Sequence, residues 1–283
     1  MITGATGATG KNAIANLIEM DIPVRALVHR KDGRSDLLAS QGAEIVEGEL
    51  SDFKSVSAAL EGITSAYFVY PIQVPGIIEA TAYFAQAAAE QHVVHIVNMS
   101  QRSARRGSPS HAAQNHWVAE RVFDHFSVPV THLRPTLFAE WLSYFAEDIK
   151  HNNRLVSPFT NAQYAPIAGE DIGRVIASVL ARPQEYSGKT LELYGNQEVT
   201  QNRIAELLSE SLGRSITYMP VDIEHFKKVL EGYPPYFIQH VTGIVQEFNT
   251  GNFAGMNSHV EEITGRRPLT VGSYIQKNIG LFK

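Results

Sequence analysis

The 283-residue sequence contains no cysteine. That removes disulfides, thiolate metal sites and cysteine nucleophiles together. No apolar run approaches the roughly 18 residues a membrane helix requires, and the N-terminus lacks the charged-then-apolar pattern of an export signal. The expectation is a cytoplasmic protein with no membrane partner. Charge is sparse and slightly acidic, with 24 Lys and Arg against 29 Asp and Glu, a net −5. That balance argues against nucleic acid as a direct partner, because phosphate contacts need a basic footprint. No Gly-x-Ser-x-Gly elbow occurs, so that class of serine hydrolase has no support. Apolar residues make up 44% and charged residues 19%, which excludes intrinsic disorder. The length suits two domain-sized units or one large α/β unit.

What is present is concentrated at the N-terminus. The chain opens Met1-Ile2-Thr3-Gly4-Ala5-Thr6-Gly7-Ala8-Thr9-Gly10-Lys11. Gly4, Gly7 and Gly10 follow a short apolar strand and precede a helical run from Asn12 to Ile18. A strand that turns through glycines into a helix points backbone N–H groups and the positive helix end at an anion. Without Cβ atoms the turn can be tight, and a pyrophosphate can approach the backbone. The context predicts dinucleotide binding, with a flexible loop as the plainer alternative. The next strand, Pro23 to His29, runs straight into Arg30 and Lys31. About 20 positions past the glycines, an acidic residue would bind the ribose 2′-hydroxyl and repel a 2′-phosphate. Arg30 and Lys31 stand there instead, and a guanidinium fork suits a phosphate monoester. The expected cofactor is NADPH rather than NAD; a solvated charge cluster is the bland reading.

Further strands are expected at 43–47, 65–70, 93–98 and 130–134, separated by helices. Asp52 can cap the helix that carries Val56 and Leu60. Near-continuous apolar strands alternating with helices indicate an α/β fold, a doubly wound parallel sheet covered on both faces. Residues 1–150 form the expected dinucleotide-binding domain, and 151–283 a smaller, mainly helical substrate region. Its 165–195 segment is expected to return to the main sheet. Thr200 can cap a helix through Leu212, and Ser258-His259-Val260-Glu261 reads as a capping box. Helical stretches are expected at 222–231 and 235–249. The cluster Tyr233, Pro234, Pro235, Tyr236 and Phe237 can line a pocket or simply pack a core. Trp141, Tyr144 and Phe145 follow the strand at 130–134 on a helix and can reach the same cavity.

These pieces together resemble the NmrA-like branch of the atypical short-chain dehydrogenases/reductases. The matching stretches are Gly4 to Gly10, Val24 to Arg30, Gly48-Glu49-Leu50-Ser51-Asp52, Leu133 to Phe138, Glu170 to Val175 and Thr264 to Pro268. The resemblance implies a Rossmann-type fold and an NAD(P) site. Carried over by position, Gly4, Thr6, Gly7, Ala8, Thr9 and Gly10 hold the pyrophosphate, and Arg30 with Lys31 the 2′-phosphate. Leu50 borders the adenine. Val69, Tyr70, Pro71, Met99 and Ser100 lie along the ribose and nicotinamide, with Pro135 and Leu137 beyond them. Trp141, Tyr236 and Phe237 are the expected substrate contacts. Glu49 stands where the family usually has Asp.

The wider superfamily uses a Tyr-x-x-x-Lys pair, whose tyrosine delivers a proton. Aligned on Glu120, those positions here are Ala112 and His116, so both members are missing. His116 and Glu120 share a helix face and can hydrogen-bond. His116 is the one catalytic candidate; a satisfied buried histidine is the alternative. Arg102, Arg105 and Arg106 can steer an anion or lie in a solvated loop. His92 and His95 have metal-like spacing, but no metal site is expected. The resulting expectation is an NADPH-dependent reductase passing hydride to a small electron-poor quinone, azo or cationic-dye acceptor. A non-catalytic NAD(P) sensor is the competing class.

Overall fold

The computed structural model describes residues 1–283. Its strands are β1 (Arg25–Val28), β2 (Glu44–Glu47), β3 (Ser65–Phe68), β4 (His95–Met99), β5 (Val130–Pro135), β6 (Arg154–Ser157), β7 (Thr190–Leu193) and β8 (Thr217–Pro220). The helices through the first half are α1 (Ala8–Glu19), α2 (Gly33–Ser40), α3 (Phe53–Leu60), α4 (Ile77–Glu90) and α5 (His111–Asp124). Then come α6 (Ala146–Asn152), α7 (Gly169–Ala181), α8 (Pro183–Tyr186), α9 (Gln201–Leu212) and α10 (Ile223–Val229). The last are α11 (Pro235–Asn249), α12 (His259–Thr264) and α13 (Val271–Lys277).

Ile2 joins the main sheet together. Its N–H donates to the Arg25 carbonyl at 2.8 Å and its carbonyl accepts from Leu27 at 2.9 Å. On the other side Tyr67 donates to the Met1 carbonyl at 2.8 Å, and Thr3 to the Tyr67 carbonyl at 3.1 Å. The parallel order is therefore β2, β1, residues 1–3, β3, β4, β5 and β7. Alternate side chains go to opposite faces. Tyr67 and Val97 meet Ile14 and Leu17 of α1 and Ile172, Val175 and Val179 of α7. Ala66, Phe68 and Ile96 meet Leu60, Phe84 and Phe123 of α3, α4 and α5.

β7 pairs with β5, so the chain crosses back into the main sheet after leaving it. Beyond this, α6, α9, α10, α11 and α13 enclose a separate core that includes Phe145, Ile149, Leu208, Phe226, Ile244 and Ile275. The β6–β8 parallel pair beside it has no counterpart in the sequence expectations. Thr200 caps α9 by accepting the Arg203 N–H, and Gly213 ends it at φ +66°. Asp52 likewise caps α3 through the Ser55 N–H. The capping box at Ser258 does not form. Its backbone sits at ψ 5° rather than extended, and its hydroxyl donates to Glu262 instead.

Candidate functional site

The glycine turn is built around close approaches. Gly4 takes φ +54°, the left-handed region, and a Cβ there would lie 2.5 Å from Val69 Cγ1. At Gly10 a Cβ would lie 2.3 Å from the Gly4 carbonyl oxygen, so α1 can start against the turn only without one. Gly7 caps α1 with extended backbone and no side chain. The N–H groups of Ala8, Thr9 and Gly10 find no backbone acceptor. This leaves the positive end of a 12-residue helix open to an anion. Thr9 contributes only its N–H, because its hydroxyl turns inward to Tyr67 at 3.0 Å. Thr6 lies in the turn itself.

The neighbouring strand ends complete this edge. Arg30 and Lys31 follow β1, exposed, with side chains in no ion pair, whereas Arg34 is held by Asp32 at 2.6 Å. Leu50 follows β2, half-buried against the core of Phe68, Phe84 and Phe123. Glu49 meets His29 at 2.7 Å. Open helix N–H groups, a glycine turn at Gly4, Gly7 and Gly10 and two uncommitted cations fit an NAD(P) dinucleotide.

From there the edge leads into a cavity of about 310 Å³. Val69, Tyr70 and Pro71 enter it after β3, Met99 and Ser100 at the end of β4, and Pro135 and Leu137 at the end of β5. Trp141 and Tyr144 come from the 3₁₀ turn after β5, and Phe237 from α11. His116 reaches it from α5. Two aromatic expectations need correction. Tyr236 is outside this cavity, in a small crevice with Tyr70 and Ala112, where its hydroxyl accepts from Asn115 at 3.1 Å. Phe145 turns into the second core against Phe226, 5.7 Å between rings.

His116 is 5% exposed, and burial pushes its pKa down to about 4, against opposing effects of Glu120 and the Met99 backbone. The expected His116–Glu120 hydrogen bond is absent. Glu120 is fully buried and engaged elsewhere: Arg134 Nε and Nη2 donate to it at 2.8 and 2.5 Å, and Ser100 Oγ at 2.6 Å. A carboxylate needs such partners when it leaves water, and the guanidinium next to it outcompetes a neutral imidazole.

The arginine loop is neither free nor solvated throughout. Arg102 pairs with Glu192 at 2.6 Å, and the exposed Arg105 with the buried Glu247 at 2.9 Å; only Arg106 has no ion pair. His95 Nε2 lies 2.9 Å from Thr131 Oγ1, and no three His, Asp or Glu side chains gather as a metal site.

The sequence reading missed His240, Gln101, Ser103 and Thr136, all of which line the cavity. Gln101 Nε2, Ser103 Oγ, Thr136 Oγ1 and His116 Nδ1 are sealed from solvent with no protein partner. Each belongs to a cavity-lining residue, but the orphaned atom itself is turned into the protein rather than onto the cavity surface. Nothing local marked these residues, since ordinary loop and helix positions acquire the role only by converging.

Comparison with known proteins agrees with this architecture. The NAD(P)H azoreductase of Xenophilus azovorans is 23% identical over 286 residues, covering 100% of this chain and 98% of that protein. The Escherichia coli NADPH-dependent quinone oxidoreductase complexed with NADPH superposes with a TM-score of 0.87 at 21% identity, covering 98% and 99%. NmrA, a negative transcriptional regulator in complex with NADP, superposes at 0.83 with 17% identity, covering 98% and 93%. At these identities the superpositions show a shared fold. The NmrA-like family profile matches residues 1–275, and the chain belongs to the NmrA-like family.

Proposed function

We propose that the protein is an NADPH-dependent reductase of small electron-poor acceptors, of the quinone, azo or cationic-dye type. One observation carries the reading: the glycine cradle packs through Gly4 on Val69, which also lines an aromatic-walled cavity where no Tyr/Lys pair stands and the one arginine, Arg102, is paired with Glu192. Bound NADPH supplies a hydride. The chain's own residues hold the cofactor, position the acceptor and exclude water. Gly4, Thr6, Gly7, Ala8, Thr9 and Gly10 present the backbone to the pyrophosphate, and Arg30 with Lys31 meet the 2′-phosphate. Leu50 borders the adenine, and Val69, Tyr70, Pro71, Met99, Ser100, Pro135 and Leu137 form the floor under the nicotinamide end. Trp141 and Phe237 give the acceptor a flat apolar wall.

The missing Tyr/Lys pair selects among acceptors. Reduction of an ordinary ketone leaves a strongly basic alkoxide, which needs a proton donor beside it. Ala112 cannot supply one, and His116 is neutral at physiological pH. A quinone gives a phenolate-like anion that takes its proton from water, and a cationic dye carbon needs none. His116 therefore orients or tunes. The named reductases among the relatives support this class.

The test is NADPH oxidation followed at 340 nm with quinones, azo dyes, a triarylmethane dye and aliphatic ketones. Turnover of the first three classes with little or no ketone reduction is expected. His116→Ala should lower quinone turnover by about 10-fold or less, as for a single modest hydrogen bond. Rapid ketone turnover would expose a proton donor in the cavity. Tight NADPH binding with no turnover of any acceptor would favour a non-catalytic NAD(P)-sensing role.

A further inference from the structure

Helix α11 is docked on residues 105–111 along one stripe. Gln239 donates to the Pro109 carbonyl at 2.8 Å and accepts from the His111 N–H at 2.9 Å. Gly243 comes so close that a Cβ would lie 2.6 Å from the Ser110 nitrogen. Glu247 accepts from Ser108 Oγ at 2.5 Å and from Arg105 at 2.9 Å. His240 sits inside this stripe, with Nδ1 2.7 Å from Ser110 Oγ.

Hydrogen-bond completeness assigns the proton. Ser110 is fully buried, and its Oγ already accepts the Ala113 N–H at 3.1 Å as the cap of α5. Its hydroxyl proton must go to an acceptor, and His240 Nδ1 is the one it reaches. Nδ1 is then the unprotonated nitrogen. A neutral ring carries its proton on Nε2. Burial, then the neighbouring His116, keep His240 neutral. Nε2 has no partner in the protein, yet it is not among the sealed orphan atoms. His240 is 6% exposed and lines the cavity, so the geometry aims its accessible Nε2 there.

We propose that His240 is a catalytic residue, whose neutral Nε2–H donates a hydrogen bond to the oxygen of the acceptor as negative charge develops there. The proposal rests on the reductase reading and narrows its substrates to acceptors with a carbonyl-type oxygen, such as quinones. The quinone gains two electrons and one hydrogen as hydride, and NADPH is oxidised to NADP⁺. The resulting hydroquinone monoanion takes its proton from water. His240 keeps its own proton, because a neutral imidazole is a far weaker acid than a phenol. Its contribution is preorganised stabilisation of the oxyanion.

The first measurement does not need turnover. In ¹⁵N-histidine-labelled protein with NADP⁺, His240 should show the Nε2–H tautomer, and its Nε2 signal should move on titration with hydroquinone. An Nδ1–H tautomer, or an Nε2 signal unmoved by hydroquinone, overturns the proposal. The second measurement compares acceptors. His240→Leu should lower kcat/KM for a quinone by about 10- to 150-fold, the range for a hydrogen bond to a charged group. Reduction of a cationic triarylmethane dye, whose accepting carbon needs no N–H donor, should change less than about 3-fold. His240→Gln keeps an acceptor for Ser110 and a donor for the cavity, and should restore most of the quinone rate. Equal losses with both acceptors would mean a merely structural histidine. If no acceptor is reduced at all, the reductase reading fails, and the tautomer and titration still decide the role of His240.

Discussion

Arg30, the expected 2′-phosphate reader, and Arg34 lie four residues apart just after β1. Their surroundings separate them. Arg34 is neutralised by Asp32 at 2.6 Å, whereas Arg30 has no carboxylate partner. Arg30→Asp should therefore weaken NADPH binding by roughly 10- to 150-fold and leave NADH binding nearly unchanged, measured by isothermal titration. Equal affinity of the unaltered protein for both cofactors would refute the assignment. The buried histidines make a second residue-scale expectation. Burial holds His116 at about 4 and His240 at about 3, below the ordinary 6.5. As pH falls through 6.5 the unfolded chain takes up these protons before the folded one does. Stability thus declines on acidification, by up to about 1.4 kcal/mol per pH unit for each histidine, until the folded pKa is reached. Thermal unfolding between pH 7 and 5.5 should show this decline, and His240→Gln should flatten it. An unaltered slope in that variant would show that His240 is not one of the groups responsible.

At the scale of elements, two serine/threonine caps that look alike in sequence behave differently. Thr200 is extended and accepts the Arg203 N–H, while Ser258 leaves α12 uncapped. Thr200→Ala should lower unfolding stability by about 1 kcal/mol, and Ser258→Ala by less than about 0.5 kcal/mol. Urea titration of both variants distinguishes them; equal losses would mean that Ser258 caps in solution. Asp52 and Thr200 were legible because capping depends on the residue and its immediate neighbours. Ser258 was not, since Glu262 one turn on competes for its hydroxyl.

At the scale of the molecule, the cavity forms where the carboxyl ends of β3, β4 and β5 meet α11 and the turn at Ala139–Phe145. Trp141 stacks edge-on against Tyr144 and Phe159 at 5.5 and 5.4 Å and also faces the cavity. Trp141→Ala should raise the quinone KM by about 10-fold, the worth of one aromatic contact, without changing NADPH affinity. Steady-state kinetics with a parallel cofactor titration checks this. Loss of both together would mean that Trp141 supports the fold rather than the acceptor.

The sequence by itself determined the glycine turn, the basic pair after β1, the strand–helix alternation and the family. Each of these is written in short-range spacing, where backbone conformation and local charge decide the outcome. It could not determine the company that side chains keep. Glu120 was spaced for His116, yet Arg134 and Ser100 hold it, because a buried carboxylate goes to the strongest donors in reach. Tyr236 and Phe237 are adjacent, but consecutive helical residues point about 100° apart, so only Phe237 enters the cavity. His240 gained its place only when Gly243 let α11 come down onto Ser110. That choice belongs to tertiary packing, because it depends on surfaces that meet only once both cores have formed.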